Sequence, residues 1–298
     1  MRYSFVLPVY GTEKYLPRCL DSIFAQTERD FEVIVVDDCS PGNCAEAVAR
    51  YGDRVRYVRH DRNRSAFQAR MTAVRAARGE YVVPVDPDDY VMPELLARLD
   101  GTIGASRPDM ISYWIDWDDG RKVFPHWCRH PAGEMTGAAA IRELAEAKFM
   151  NGVATKAFRR ETWLRAVAAL AAPDDLYVNT ADDYLVLLPV LMISERVAFL
   201  DYAGYRYFVN SESTSGTWKT QEGYNRACSE VRQVKDLVLE MANRRLADDP
   251  VLADVRSAVA GLERFFAAQA PDRKLVPALR RLVSRCLIRM GFDKIRST

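Results

Sequence analysis

Histidine is scarce in this 298-residue chain, with only His60, His126 and His130, and the six cysteines (Cys19, Cys39, Cys44, Cys128, Cys228, Cys286) are scattered along it. No Cys-x-x-Cys pair accompanies the histidines, so neither a zinc cluster nor a disulfide framework is expected. Cys39 and Cys44 share one loop, and idle thiols are the expectation there too. Net charge is also lacking: 42 Lys and Arg against 41 Asp and Glu leave +1, which argues against nucleic acid as a partner. Long apolar runs are absent. None reaches the roughly 18 residues of a membrane span, and the N-terminus enters a strand without a signal-peptide layout, so a cytoplasmic location is expected. No internal repeat or low-complexity tract is found. With 49% hydrophobic and 28% charged side chains, the length suffices for one large domain or a domain plus an appendage.

The most informative stretch is Gly79-Glu80-Tyr81-Val82-Val83-Pro84-Val85-Asp86-Pro87-Asp88-Asp89-Tyr90. An apolar run reads as a buried strand and stops at three carboxylates in four positions. Like charges packed together need neutralising, and a hard divalent cation is the usual answer. Pro87 bends the backbone, so that Asp86 and Asp88 converge on one Mg²⁺ or Mn²⁺ site with open positions for substrate phosphates. The competing reading has Asp88 or Asp89 capping a helix near Pro93, with the others solvated in a turn.

The preceding segments favour the first reading. Tyr3–Pro8, Phe31–Val36, Val55–Val58 and the strand above alternate with helical segments, which calls for an α/β fold with a parallel sheet flanked by helices. In such sheets ligands sit beyond the carboxyl ends of the strands. That places Pro8-Val9-Tyr10, Asp37-Asp38 and Asp86 to Asp89 on one rim. Asp38 suits a pyrimidine N–H or ribose hydroxyls, Tyr10 offers a face to a base, and the Asp-x-Asp metal takes a diphosphate. The bland alternatives are a helix N-cap and turn for Asp37-Asp38 and core packing for Tyr10.

Pro8-Val9-Tyr10 with Glu13 and Tyr15-Leu16, Ser22-Ile23, Gln26-Thr27, Phe31 to Asp38, Ala69-Arg70, Ala77, Gly79-Glu80-Tyr81 and Asp86-x-Asp88-Asp89 together resemble family-2 glycosyltransferases of the GT-A fold, over roughly the first hundred residues. The resemblance implies an inverting, metal-dependent transferase that moves a sugar from a nucleotide-sugar donor, with UDP the commonest nucleotide, to an acceptor hydroxyl. It also implies a role in bacterial capsule or O-antigen assembly with a glycan or lipid-linked acceptor. Pro8, Tyr10, Glu13, Asp38, Arg70 and Asp86 would then line the donor site, with Arg70 near the phosphates and Asp86 and Asp88 holding Mn²⁺ or Mg²⁺. Two departures stand out: Cys39 replaces the glycine of the usual Asp-Asp-Gly-Ser loop, and Ser65 replaces a glycine common after Asn63. Both put the loop conformations in question.

Further on, Pro93 is expected in the first turn of a helix through Leu99. Met110 to Ile115 reads as a fifth strand entering a hairpin at Asp118-Asp119-Gly120, where the sheet becomes mixed. Trp114, Trp117 and Trp127 suit either a sugar acceptor or ordinary packing. A helix over 136–149 precedes Asn151 to Arg160, which again resembles the family. Asp182-Asp183 open an apolar helix, where Thr180 or Asp182 would serve as a plain N-cap and acidic residues are favoured in the first turn. The resemblance instead makes Asp183 the catalytic base, with Asp182 replacing a usual Glu. Residues 195–208 read as two short strands and 210–217 as a polar loop. There the resemblance offers Arg206 and Lys219 as phosphate contacts, and surface linker is the alternative.

The domains expected are a glycosyltransferase unit over 1–219, with halves 1–105 and 106–219, and a helical region over 220–298 of about three helices. Residues 272–298 carry eight Lys and Arg against two Asp. Leu275, Leu279, Leu282, Val283, Cys286, Leu287 and Met290 share one helical face there, so peripheral membrane contact and packing against the preceding helices both stay open. Homo-oligomerisation is left open as well. Other readings of the whole chain are an inactive nucleotide-binding scaffold and a nucleotidyltransferase. The latter should carry a Gly-rich phosphate loop, which Val9-Tyr10-Gly11-Thr12-Glu13 is not.

Overall fold

The computed structural model describes residues 1–104, 106–126, 128–130, 132–210 and 220–268. Its first half is the expected alternation. Strands β1 (Tyr3–Val9), β2 (Phe31–Asp37), β3 (Val55–Arg59) and β4 (Tyr81–Pro84) run parallel, with α1 (Leu16–Phe24), α2 (Cys44–Ala49) and α3 (Ala66–Ala76) between them. Val6 of β1 faces Ile34 on one side and Pro84 on the other. The order β3-β2-β1-β4 means that the chain steps outward from β1 and then returns to its far side, so the switch in strand order falls between β1 and β4. Strands covered on both faces read as unbroken apolar runs, and β1 and β4 are buried almost throughout. Gly79 permits the approach into β4, since a Cβ there would lie 2.5 Å from the Tyr3 carbonyl carbon and 2.7 Å from the Ser4 nitrogen.

The second half differs from expectation in several respects. Residues 110–115 are not one strand: β6 (Met110–Ser112) stays in the main sheet, while β7 (Ile115–Asp118) enters a second, smaller one. The break has a backbone cause, because the Tyr113 N–H donates to Thr155 O (3.0 Å) and the Trp114 N–H to Tyr202 O (2.8 Å). The hairpin of β7 with β8 (Val123–Pro125) forms as expected, but in the small sheet with β5 (Tyr90–Val91) and β12 (Tyr205–Phe208), ordered β5-β12-β7-β8. The main sheet becomes mixed elsewhere, where β10 (Lys156–Arg159) inserts antiparallel between β4 and β6. Beyond β6 it continues through β11 (Val197–Phe199) to β9 (Gly133–Met135). Pro93 precedes α4 (Leu95–Ile103) and lies outside its first turn, with Glu94 at the N-cap.

Helices α5 (Gly137–Ala145), α6 (Arg160–Leu170) and α7 (Asp182–Ile193) pack on one face of the main sheet. α7 is buried nearly all round, as its apolar sequence requires. Helices α8 (Gln221–Arg245) and α9 (Val251–Ala268) follow, and their apolar faces join the same core cluster as α7 and the β4 residue Val82. The expected third C-terminal helix and its basic face lie outside the described residues. Among the described residues no helix is long and apolar enough to cross a membrane.

Candidate functional site

The carboxyl ends of β1, β2 and β4 form the anticipated rim. Pro8 is a half-buried member of β1, and Tyr10 just beyond it is 53% exposed, which removes the core-packing reading. Asp37 is a structural carboxylate. Burial alone would raise its pKa, but the Tyr57 hydroxyl (2.6 Å), the Ser40 N–H (2.7 Å) and the Arg59 guanidinium hold it below the ordinary value. Asp38 is nearly sealed: its Oδ1 lies 2.6 Å from His60 Nδ1 and accepts the Arg64 N–H (2.8 Å), while Oδ2 accepts the Ser65 N–H (2.9 Å). A carboxylate offers about four acceptor positions, so three donors leave room for one more. Neither Asp caps α2, whose N-cap is Asn43. Glu13 is half-buried, and its Oε1 is shielded from solvent without a hydrogen-bond partner among the described residues.

The two replaced glycines keep the backbone that glycine would adopt. Cys39 has φ +61° and Ser65 φ +90°. A residue with a Cβ is strained in that region, so both departures carry a conformational cost.

At the end of β4 the three aspartates divide their roles. Asp89 is buried, accepting from the Tyr205 hydroxyl (2.7 Å) and the Phe208 N–H (2.8 Å), while the same hydroxyl accepts the Asp86 N–H (3.1 Å). This carboxylate ties the turn to β12 and is not turned outward. Asp86 and Asp88 are the half-buried pair, and Asp88 Oδ2 accepts from Asn210 Nδ2 (2.9 Å). Burial, then the Asp86 charge, push the Asp88 pKa up; burial with both neighbours pushes Asp89 further. Neither Asp88 nor Asp89 caps α4. Among the described residues no three His, Cys, Asp or Glu side chains are grouped to hold a metal by themselves. Two adjacent half-buried carboxylates, the charge of one raising the pKa of Asp88, do fit a hard cation whose remaining positions are taken by diphosphate oxygens.

The second cluster adjoins the first through Arg70. This α3 side chain is buried, donating from Nη2 to Asp86 Oδ1 (2.8 Å) and from Nη1 to Asp182, with Nε left unpartnered. Asp183 is turned the other way, its Oδ1 accepting the Val153 N–H (2.9 Å). No side chain caps α7, so the plain N-cap reading of Thr180 or Asp182 does not hold. Burial raises the pKa of both aspartates against the pull of Arg70, and their mutual repulsion adds to that of Asp182.

Lys156 was missed from the sequence. It is fully buried at the start of β10 and donates to Met150 O (2.7 Å), Gly152 O and Thr155 Oγ1 (3.0 Å), tying down the loop that presents the Val153 N–H. Burial lowers its pKa to about 7, with Asp183 opposing the fall. A lysine opening the strand Lys156-Ala157-Phe158 was the available signal. His60 carried none.

Arg206 is engaged within the small sheet, pairing with Asp116 (3.1 Å) and donating to Ala203 O (3.1 Å). Lys219 and Trp127 lie outside the described residues. Trp114 donates to His130 O (3.0 Å) beneath Arg129, and Trp117 packs on Tyr207, as the packing reading of these tryptophans has it.

Residues 4–166 match the family described as glycosyl transferase family 2. The uncharacterized glycosyltransferase EpsJ of Bacillus subtilis is 31% identical over 219 residues, covering 70% of this chain and 62% of its own length. The poly(ribitol-phosphate) beta-N-acetylglucosaminyltransferase TarS of Staphylococcus aureus is 26% identical over 71% of this chain, but that match takes in only 36% of TarS. The chain thus spans between one-third and two-thirds of the length of these relatives. The crystal structure of TarS 1-349 in complex with UDP-GlcNAc superposes with a TM-score of 0.61 at 22% identity, over 98% of this chain and 88% of that one. The mannosyltransferase PcManGT of Pyrobaculum calidifontis, in complex with GDP-Man and Mn²⁺, gives 0.55 at 19% identity, over 96% and 80%.

Proposed function

The chain belongs to glycosyl transferase family 2 and has the GT-A fold, and from that premise we propose that it is an inverting glycosyltransferase using a nucleotide-sugar, UDP-linked in our reading, and a divalent cation. The observation that carries the proposal is Arg70, whose guanidinium joins Asp86 of the Asp-x-Asp turn to Asp182 of the acidic pair. It sets a diphosphate-binding rim beside a candidate base. Tyr10 offers its exposed ring to the nucleobase, Asp38 an acceptor to the pyrimidine N–H, and Glu13 its unpartnered oxygen to a ribose hydroxyl. Asp86 and Asp88 would hold Mn²⁺ or Mg²⁺, which when bound supplies positive charge for the leaving diphosphate. Arg70 stands next to that position and adds to it.

Asp183 takes the acceptor's proton. The Val153 N–H occupies its Oδ1 and leaves Oδ2 for the incoming hydroxyl, and a raised pKa brings a carboxylate nearer the ideal for a general base at neutral pH. The acceptor is a glycan or lipid-linked glycan of the bacterial surface, by likeness to the poly(ribitol-phosphate) in the name of TarS. Arg206 is not assigned to the donor, because Asp116 and backbone carbonyls engage its guanidinium.

The test is calorimetric titration with UDP, GDP, CDP and dTDP, each with and without Mn²⁺. Metal-dependent binding of UDP alone is expected. No binding of any of the four by a folded protein would favour an inactive scaffold.

A further inference from the structure

Glu230 lies in α8, outside the family-matched residues 4–166, and is 5% exposed on a helix face otherwise made of Ala227, Val231 and Val234. A carboxylate in such surroundings is costly unless hydrogen bonds satisfy it. Its Oε2 accepts two consecutive backbone donors, the N–H groups of Asn179 (3.0 Å) and Thr180 (2.7 Å). These residues lead into Ala181, held at φ +62°, and then into Asp182 and Asp183 at the start of α7. No side chain caps that helix, so its first turn takes its direction from the segment before it. Asn179 also reaches across the site: its Oδ1 accepts the Ala66 N–H (2.8 Å), one residue beyond the Ser65 N–H held by Asp38.

We propose that Glu230 is a positioning residue for transfer: from the C-terminal helical region it fixes the segment 179–181 and so aims the Asp182-Asp183 pair. The helical region is then a working part of the catalytic unit. The inference rests on the reading of Asp183 as base, and the test separates the two.

Glu230→Ala, Glu230→Gln and Asp183→Asn are compared with the wild type in the full chain. Each is assayed for UDP release from the UDP-hexose that the wild type turns over fastest, for UDP affinity with Mn²⁺, and for amide exchange at Asn179 and Thr180. Displacing a catalytic group by about 1 Å costs on the order of 100-fold, so Glu230→Ala should lose between 10- and 100-fold in kcat. KM for the donor and UDP affinity should change by no more than about twofold, because the lost interaction acts on the transition state. The two amides should exchange faster. Glu230→Gln keeps an acceptor oxygen and should recover most of kcat.

If Glu230→Ala keeps its kcat, the proposal fails. It fails equally if kcat and melting temperature fall together and glutamine rescues neither, since that is a purely structural role. An Asp183→Asn protein with normal turnover beside a slow Glu230→Ala would instead sink the base assignment and leave the role of Glu230 standing.

Discussion

Ser65→Gly should make this protein more stable, against the usual direction of a glycine substitution. Ser65 sits at φ +90°, ψ 159°, a region that is essentially glycine's own. Holding a residue with a Cβ there costs about 1–3 kcal/mol. Its hydroxyl adds to the cost, being sealed from solvent without a partner, and a buried unmatched polar group is worth about 1–3 kcal/mol. Against these gains, glycine frees the unfolded chain by about 0.4–1 kcal/mol. The backbone N–H that binds Asp38 is unchanged by the substitution. The balance is a stabilisation of roughly 1–6 kcal/mol, or a rise of about 2–4 °C in Tm for each kcal/mol in a chain somewhat smaller than this one. Urea unfolding followed by circular dichroism would measure it, with the m-value checked for constancy. Cys39→Gly, at φ +61°, should move the same way by a smaller amount, since its thiol has a partner in Asp61 O (3.7 Å). A lower midpoint for Ser65→Gly at unchanged m would refute the strain argument.

Asp183→Asn should lower kcat by about 10²–10⁴-fold, the range expected for losing a general base, with UDP affinity nearly unchanged; normal turnover would remove Asp183 from its role. Asp88→Ala should abolish the Mn²⁺-dependent increment in UDP affinity, an effect at least as large as the roughly 10–100-fold lost when an outer-shell partner is removed. Equal binding with and without Mn²⁺ in the wild type would contradict it. Gly79→Ala drives a Cβ into the Tyr3–Ser4 backbone and should destabilise by about 1–3 kcal/mol or more in chemical denaturation, the cost of overpacking. Lys156 gives a pH signature. Its pKa is about 7 in the fold and ordinarily 10.5, so between these values the unfolded chain binds more protons than the native one and stability rises with pH. Lys156→Met should remove that rise across the same window, and an unaltered stability-versus-pH curve would show that burial does not depress this amine.

The first half of the fold was legible because strands covered on both faces have no choice but to read as apolar runs, and because Asp37-Asp38 and Asp86 to Asp89 interrupt those runs where the rim must be. Even there the division of labour was hidden. Three neighbouring aspartates look alike in sequence, and it takes the Tyr205 hydroxyl and the Phe208 N–H, from a strand more than a hundred residues away, to mark Asp89 as the anchor. The split between β6 and β7 was equally unreadable. Met110 to Ile115 is a largely apolar and aromatic run, and its break at Tyr113-Trp114 is made by Thr155 and Tyr202, neither of them local.

The acidic pair shows the same limit at the site itself. Asp182-Asp183 was recognisable as a motif, but a motif opening an uncapped helix has no local means of holding its carboxylates still. Their placement is lent from three sides: Arg70 of α3 on Asp182, the Val153 N–H on Asp183 from a loop tied down by Lys156, and Glu230 of α8 on the residues just before. Each supporting residue lies on an element of unremarkable pattern, because a single buried charge barely disturbs the amphipathic period that surrounds it. The candidate chemistry is therefore legible where carboxylates cluster, whereas the contacts that hold those carboxylates in place come from isolated charges at positions that the apolar pattern assigns to the core.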